Sequence, residues 1–216
     1  MIDFDVKTPT LLCELMQKYG SDKGGENLEK TWHNYTPVYN SLFENIRFDK
    51  LKVFELGLGT NNTQVPSNMG KDGKPGASLY AWADFFPNSQ IFGADIDKEI
   101  LFNTERIKTY FCDQTNPFEI KKMWNDADLY GQFDIILEDG LHEFAANVTF
   151  FENSIHKLSK NGYFIIEDIA NKEIPLFKIK IEEWKSKYNN ISFDLLILPT
   201  SVNWIDNNLL ICKKLF

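Results

Sequence analysis

From Lys52 onward, short apolar runs alternate with helical stretches, and this rhythm demands a parallel sheet covered on both faces. The runs are Val53-Leu56, Gln90-Ala94, Lys108-Cys112, Phe133-Leu137, Tyr163-Ile166, Phe193-Leu198 and Leu209-Lys213, each of strand length. Between them, Leu79, Trp82, Ala83 and Phe86 recur at the spacing of a buried helical stripe, as do Val148, Phe151, Ile155 and Leu158. Only a short loop through Asn203-Trp204 separates the last two runs, too little for a helical crossover, so an antiparallel ending is expected.

Two further helices precede the sheet. Thr8-Pro9 and Gly20 bracket one through Leu11, Leu12, Leu15 and Met16, with the threonine as cap and proline at the first helical position. Thr36-Pro37 opens the other, with Val38, Tyr39, Leu42, Phe43 and Ile46 in phase. The polar stretch Ser21-Asp22-Lys23-Gly24-Gly25 between them reads as a loop. The expected architecture is therefore α/β: a Rossmann-like, seven-stranded, mostly parallel sheet with helices on both faces and its last strand antiparallel. Residues 1–50 form a short helical extension packing on a core of residues 51–216.

A chain of 216 residues fits a single core. The formal charge of -8 leaves no general electrostatic footprint for a phosphate backbone, so nucleic acid is not the expected partner. Cys13, Cys112 and Cys212 form neither a C-x-x-C motif nor an even set, which suits a reducing, cytoplasmic setting. Met1 to Thr10 carries Asp3 and Asp5 and no apolar core, and no later run approaches the roughly 20 residues of a membrane span, so no membrane association is expected.

The first run leads straight into a glycine turn, Glu55-Leu56-Gly57-Leu58-Gly59, where a ligand could approach a backbone without Cβ atoms. The second ends in Asp95, placed for a ribose diol, and the third in Asp113-Gln114, suited to an exocyclic adenine amine. Each acid alone could be only a helix cap, and the turn only a tight turn. A dinucleotide oxidoreductase would use similar strand ends. However, the third glycine of G-x-G-x-x-G is replaced by Asn62, and the only Tyr-x-x-x-Lys, Tyr19 to Lys23, precedes the glycine turn. The polar segment Thr60 to Gly76 is long for a loop, and loops of this length are often functional.

Two more strand ends carry acids: Glu138-Asp139-Gly140-Leu141-His142 and Glu167-Asp168. If those strands are neighbours, Asp139, Glu167 and Asp168 meet, and either protons or a cation must relieve their repulsion. Oxygen ligands favour Mg²⁺, with Ca²⁺ or Mn²⁺ as alternatives, over zinc. His142 follows Asp139 by three residues and is the candidate general base. The competing reading is that the acids cap helices and His142 is a surface residue. His156 reads as structural, and His33 either lines the site or anchors the amino-terminal helices.

In order along the chain, Tyr19-Gly20-Ser21-Asp22-Lys23, His33-Asn34-Tyr35, the glycine turn, Gly76-Ala77-Ser78-Leu79, Gly93-Ala94-Asp95-Ile96, Asp113-Gln114, Asp139-Gly140-Leu141-His142 and Glu167-Asp168 resemble the metal-dependent sugar O-methyltransferases of macrolide pathways. The resemblance implies an S-adenosylmethionine site at Glu55, Gly57, Gly59, Asp95, Asp113 and Gln114. It further implies Mg²⁺ on Asp139, Glu167 and Asp168, and His142 as the base acting on a sugar hydroxyl. It implies a small-molecule acceptor, a sugar or glycoside of the kind handled in surface-polysaccharide or secondary-metabolite synthesis. The macrolide enzymes carry an additional amino-terminal region that helps them associate, so a homo-oligomer stays an open expectation. The nicotinamide-dependent oxidoreductase and a non-catalytic nucleoside-binding module remain as alternatives.

Overall fold

The computed structural model describes residues 4, 5 and 7–216; Met1, Ile2, Asp3 and Val6, part of the polar amino-terminal stretch, lie outside the described residues. Among the described residues, seven strands form one sheet: β1 (Lys52–Leu56), β2 (Gln90–Asp95), β3 (Ile107–Phe111), β4 (Phe133–Glu138), β5 (Leu158–Ile166), β6 (Ile191–Ile197) and β7 (Asn208–Lys214). Their order is β3-β2-β1-β4-β5-β7-β6, and only β7 runs antiparallel, between β5 and β6. The chain reverses direction across the sheet beside β1, so β1 and β4 form the switch point where open α/β sheets bind ligands.

Among the described residues, six α-helices divide between the two faces: α1 (Leu11–Tyr19), α2 (Thr36–Phe43), α3 (Ala77–Phe85), α4 (Pro117–Trp124), α5 (Phe144–Ser154) and α6 (Ile174–Lys187). Leu12, Met16, Val38, Tyr39, Phe43, Leu79 and Trp82 from α1 to α3 join Val53, Ile135 and Leu137 in one apolar cluster. On the opposite face, Trp124, Phe150, Phe151, Phe177 and Trp184 from α4 to α6 pack on Phe54, Ile136 and Phe164. Alternate residues of a strand enter opposite clusters, as the pleat requires. The two amino-terminal helices thus share a core with the sheet.

Several element boundaries differ from the sequence expectation. Thr10, rather than Thr8, occupies the N-cap of α1, so Pro9 precedes the helix instead of starting it. Helix α2 ends at Phe43 and continues as a 3-10 turn, Glu44–Ile46. Leu158, expected as the last residue of a helical stripe, instead begins β5, because the helix tightens into the 3-10 turn Ile155–Lys157 and delivers the chain to the sheet. The helix stop at Gly20 is as expected: its φ of 87° is left-handed, and its N–H reaches the Met16 carbonyl at 2.9 Å. Among the described residues no helix is long and apolar enough to cross a membrane.

Candidate active site

The carboxyl ends of β1, β2, β4 and β5 open into one cavity of about 400 Å³, the size range of small-ligand pockets. Its lining includes Gly57, Gly59, Asp95, Ile96, Asp113 and Gln114 together with Asp139, His142, Glu167, Asp168, Trp32 and His33. All ten residues singled out from the sequence therefore line a single space.

The glycine turn is shaped by its protein neighbours. Gly57 has φ 89°, and a Cβ there would collide with the backbone carbonyl of Asp139. Parallel pairing of β1 with β4 brings the two tips this close, with the Asp139 N–H on the Leu56 carbonyl at 2.8 Å. Gly57 is thus required by the neighbouring strand end and by its left-handed backbone, a reason distinct from ligand approach. Asp95 braces the turn from β2: its Oδ2 accepts from the Leu58 N–H at 2.7 Å and its Oδ1 from the Asp97 N–H at 2.8 Å. Burial pushes its pKa up, while those N–H groups pull the other way.

Glu55 and Gln114 are both committed to internal bonds. Glu55 accepts from the Ser78 hydroxyl and the Trp82 indole N–H, each at 2.6 Å, which fixes α3 over the end of β1. Gln114 donates to Glu138 Oε1 at 2.9 Å and accepts from the Leu141 N–H at 2.7 Å, clamping the loop that carries His142. Asp113, half-buried on the cavity wall, accepts from the N–H and hydroxyl of Thr115.

In the same cavity, Asp139, His142 and Asp168 each bring a ligand atom within 4.8 Å of the others. The imidazole lies between the carboxylates, Nε2 at 3.1 Å from Asp139 Oδ1 and Nδ1 at 3.4 Å from Asp168 Oδ2. Both His142 and Asp168 have left-handed backbones, φ 59° and 53°, an arrangement disfavoured for residues with a side chain and concentrated at functional sites. Burial disfavours a charged imidazole, but Asp168 and Asp139 outweigh it and push the His142 pKa up to about 10. Asp139 moves down despite its burial because Lys23 and His142 are beside it.

Glu167, adjacent to Asp168, lines the same cavity but lies outside that triad. Tyr39 donates to its Oε1 at 2.6 Å and Lys23 to its Oε2 at 2.7 Å. Lys23 also reaches Asp139 Oδ2 at 2.5 Å and Glu55 Oε1 at 3.4 Å. The relief of carboxylate repulsion thus comes partly from a lysine more than a hundred residues upstream. Tyr35 donates to Asp168 Oδ1 at 2.7 Å, and His33 Nδ1 lies 3.4 Å from the same oxygen. His33 is buried, stacks on Tyr35 with centroids 4.7 Å apart, and lines the cavity, so it serves both site and anchor. His156, exposed in its 3-10 turn, does not line the cavity. Lys23, Tyr35 and Tyr39 are the site residues that sequence reasoning did not assign. Their signals were the Tyr19-to-Lys23 and His33-to-Tyr35 motifs, while Tyr39 reads as an ordinary core position.

The segment from Thr60 to Gly76 forms no helix or strand and lies against this cavity through Val65, Pro66, Ser67, Asn68 and Met69. The Ser67 hydroxyl donates to the Leu141 carbonyl at 2.7 Å, linking this segment to the His142 loop.

No family model matches the chain. It is 30% identical over 161 residues to the 8-demethyl-8-(2-methoxy-alpha-L-rhamnosyl)-tetracenomycin-C 3'-O-methyltransferase of Streptomyces olivaceus, covering 74% of this chain and 37% of that enzyme. It is 31% identical over 158 residues to the mycinamicin VI 2''-O-methyltransferase of Micromonospora griseorubida, covering 73% of this chain and 36% of that enzyme. The matched segment thus spans under two-fifths of these relatives' length. Among solved structures, the MycE methyltransferase of the mycinamycin biosynthetic pathway, in complex with Mg and SAH, superposes with a TM-score of 0.73 at 26% identity, over 97% of this chain and 56% of that one. Human methyltransferase-like protein 13, at 17% identity and a TM-score of 0.53, shares the fold. In sequence and in fold, the chain is similar to these tetracenomycin and mycinamicin O-methyltransferases.

Proposed function

We propose that the chain transfers a methyl group from S-adenosylmethionine to a hydroxyl of a sugar or glycoside, with a hard divalent ion of the Mg²⁺ type and with His142 as general base. The observation that carries this reading is the shared cavity. A glycine turn braced by a strand-end acid and a triad of two carboxylates and an imidazole line one space.

The residues fit both groups. Asp95 holds two backbone N–H groups and still has lone pairs for a ribose diol. Asp113 and Ile96 add a carboxylate and an exposed apolar face in the same cavity for the adenine. Asp139 and Asp168 would supply the anionic oxygens a hard cation prefers, and Glu167 would be the third ligand once its hold by Lys23 is loosened. When bound, S-adenosylmethionine supplies a methyl group on a sulfonium, and the divalent ion acidifies an alcohol beside it.

The protein's own groups then place and deprotonate the acceptor. His142 faces the cavity and accepts the hydroxyl proton, a role that requires the charges of Asp139 and Asp168 to be offset. Asp139 and Asp168 hold the imidazole between them. Trp32, 45% exposed on the cavity wall beside His33, offers a flat apolar surface to the C–H face of a sugar ring. The Thr60 to Gly76 segment adds Val65, Pro66 and Met69 to the cavity lining.

The test is transfer of labelled methyl from S-adenosylmethionine to a panel of methyl glycosides, with EDTA-treated protein as control. Product formed only with divalent ion present supports the reading. Undiminished transfer after exhaustive chelation removes the ion from it.

A further inference from the structure

The most heavily committed charge in the molecule is one the proposed reaction does not use. Lys23 is 2% exposed, and its ammonium contacts three carboxylates: Asp139 from β4, Glu167 from β5 and Glu55 from β1. An ammonium has three donors, and these acids occupy its surroundings. Burial opposes its charge, yet the acids more than compensate and hold its pKa well above the ordinary lysine value.

The local chain is built to deliver it there. Carbonyls of Asp22 and Lys23 accept from the N–H groups of His33, Tyr35 and Thr36, strapping the loop to the start of α2. Gly24 has no room for a Cβ, which would collide with the Thr36 side chain. The Tyr19-to-Lys23 motif with its trailing glycines is therefore a device for inserting one cation beneath the acid cluster.

We propose that Lys23 is the resident counter-ion of the site: it holds Asp139 and Glu167 together in the ion-free protein and competes with the divalent ion for them. This rests on the metal site described above. Four buried or half-buried carboxylates, Glu55, Asp139, Glu167 and Asp168, converge at this place, and without a cation their assembly would oppose folding. Lys23 lets the site exist before an ion arrives. The Glu167 oxygen engaged by Lys23 is then available to the ion only in exchange for that contact.

The experiment is thermal unfolding of the wild-type chain, Lys23→Arg, Lys23→Met and the double variant Lys23→Met/Glu167→Gln, each in EDTA and in saturating MgCl₂. Removing one partner of a buried charge pair leaves the other uncompensated, so Lys23→Met in EDTA is expected to lose roughly 6–20 °C in Tm. Mg²⁺ should raise the Tm of Lys23→Met by more than it raises the wild type, because the ion replaces the missing charge and meets no competitor. Lys23→Arg should track the wild type, and the double variant should recover most of the loss in EDTA. A purely packing role for the lysine would not be rescued by Mg²⁺.

A Lys23→Met protein within about 2 °C of wild type in EDTA, or one gaining no more from Mg²⁺ than wild type does, overturns the proposal. Should Lys23→Met not fold, an equally unfolded double variant also overturns it. Tm values indifferent to Mg²⁺ in every variant would remove the metal reading and this proposal with it. Absent methyl transfer with the expected Tm pattern would count against the transferase reading alone.

Discussion

The imidazole of His142 lies 3.1 Å from the carboxylate of Asp139, three residues before it on the same loop, and that loop is clamped from β3's end by Gln114. A positive φ at His142 turns the ring back toward Asp139 and across to Asp168. The imidazole and the acids are thus positioned by backbone conformation as well as by contacts.

Replacing His142 tests the base. Asn tolerates a left-handed backbone better than Ala, so His142→Asn isolates the chemistry from strain. The turnover number is expected to fall by about 10² to 10⁴, with the affinity for S-adenosylhomocysteine unchanged by calorimetry. Unaltered turnover would remove His142 from the reaction.

Asp168 is the acid that completes the triad from β5's end. Asp168→Asn keeps the size and the left-handed tolerance but loses the charge. The dissociation constant for Mg²⁺ is expected to rise by about tenfold or more, roughly 1.4 kcal/mol, measured by calorimetry. An unchanged constant would place the ion elsewhere.

Gly57→Ala addresses the contact between strand tips. A side chain at φ 89° costs about 1–2 kcal/mol, and the collision with the Asp139 carbonyl adds to it. Chemical denaturation should show a loss of at least that size, accompanied by weaker Mg²⁺ binding because Asp139 is displaced. A loss of stability with intact Mg²⁺ binding would separate the turn from the acid site.

The Thr60 to Gly76 segment is tied to the His142 loop through Ser67. Bound S-adenosylhomocysteine is expected to slow limited proteolysis within this segment at least several-fold, since cleavage requires local opening. Equal cleavage rates would argue that the segment does not close on the cofactor.

The strands were legible because apolar runs in a parallel sheet are buried on both faces and lack alternation, and all seven runs became strands. The strand-end acids were legible because pairing of β4 with β5 turns sequence position into proximity. What local pattern could not convey was the lining from the other side. Lys23, Tyr35 and Tyr39 meet Glu167 and Asp168 across well over a hundred residues of chain, and nothing in a helical stripe distinguishes a tyrosine that packs from one that donates. Nor could adjacency separate Glu167 from Asp168. The left-handed turn at Asp168 sends its carboxylate to His142, while Glu167 stays with Lys23 and Tyr39.

The central claim is that this cavity holds a sulfonium methyl donor and not a dinucleotide. Thermal unfolding with S-adenosylhomocysteine and, separately, with NAD at a hundred times their expected dissociation constants tests it most directly. A ligand bound only to the folded state adds about 2.7 kcal/mol there, so S-adenosylhomocysteine should raise Tm by roughly 5–11 °C and NAD should leave it unmoved. Stabilisation by NAD with none by S-adenosylhomocysteine would contradict the account.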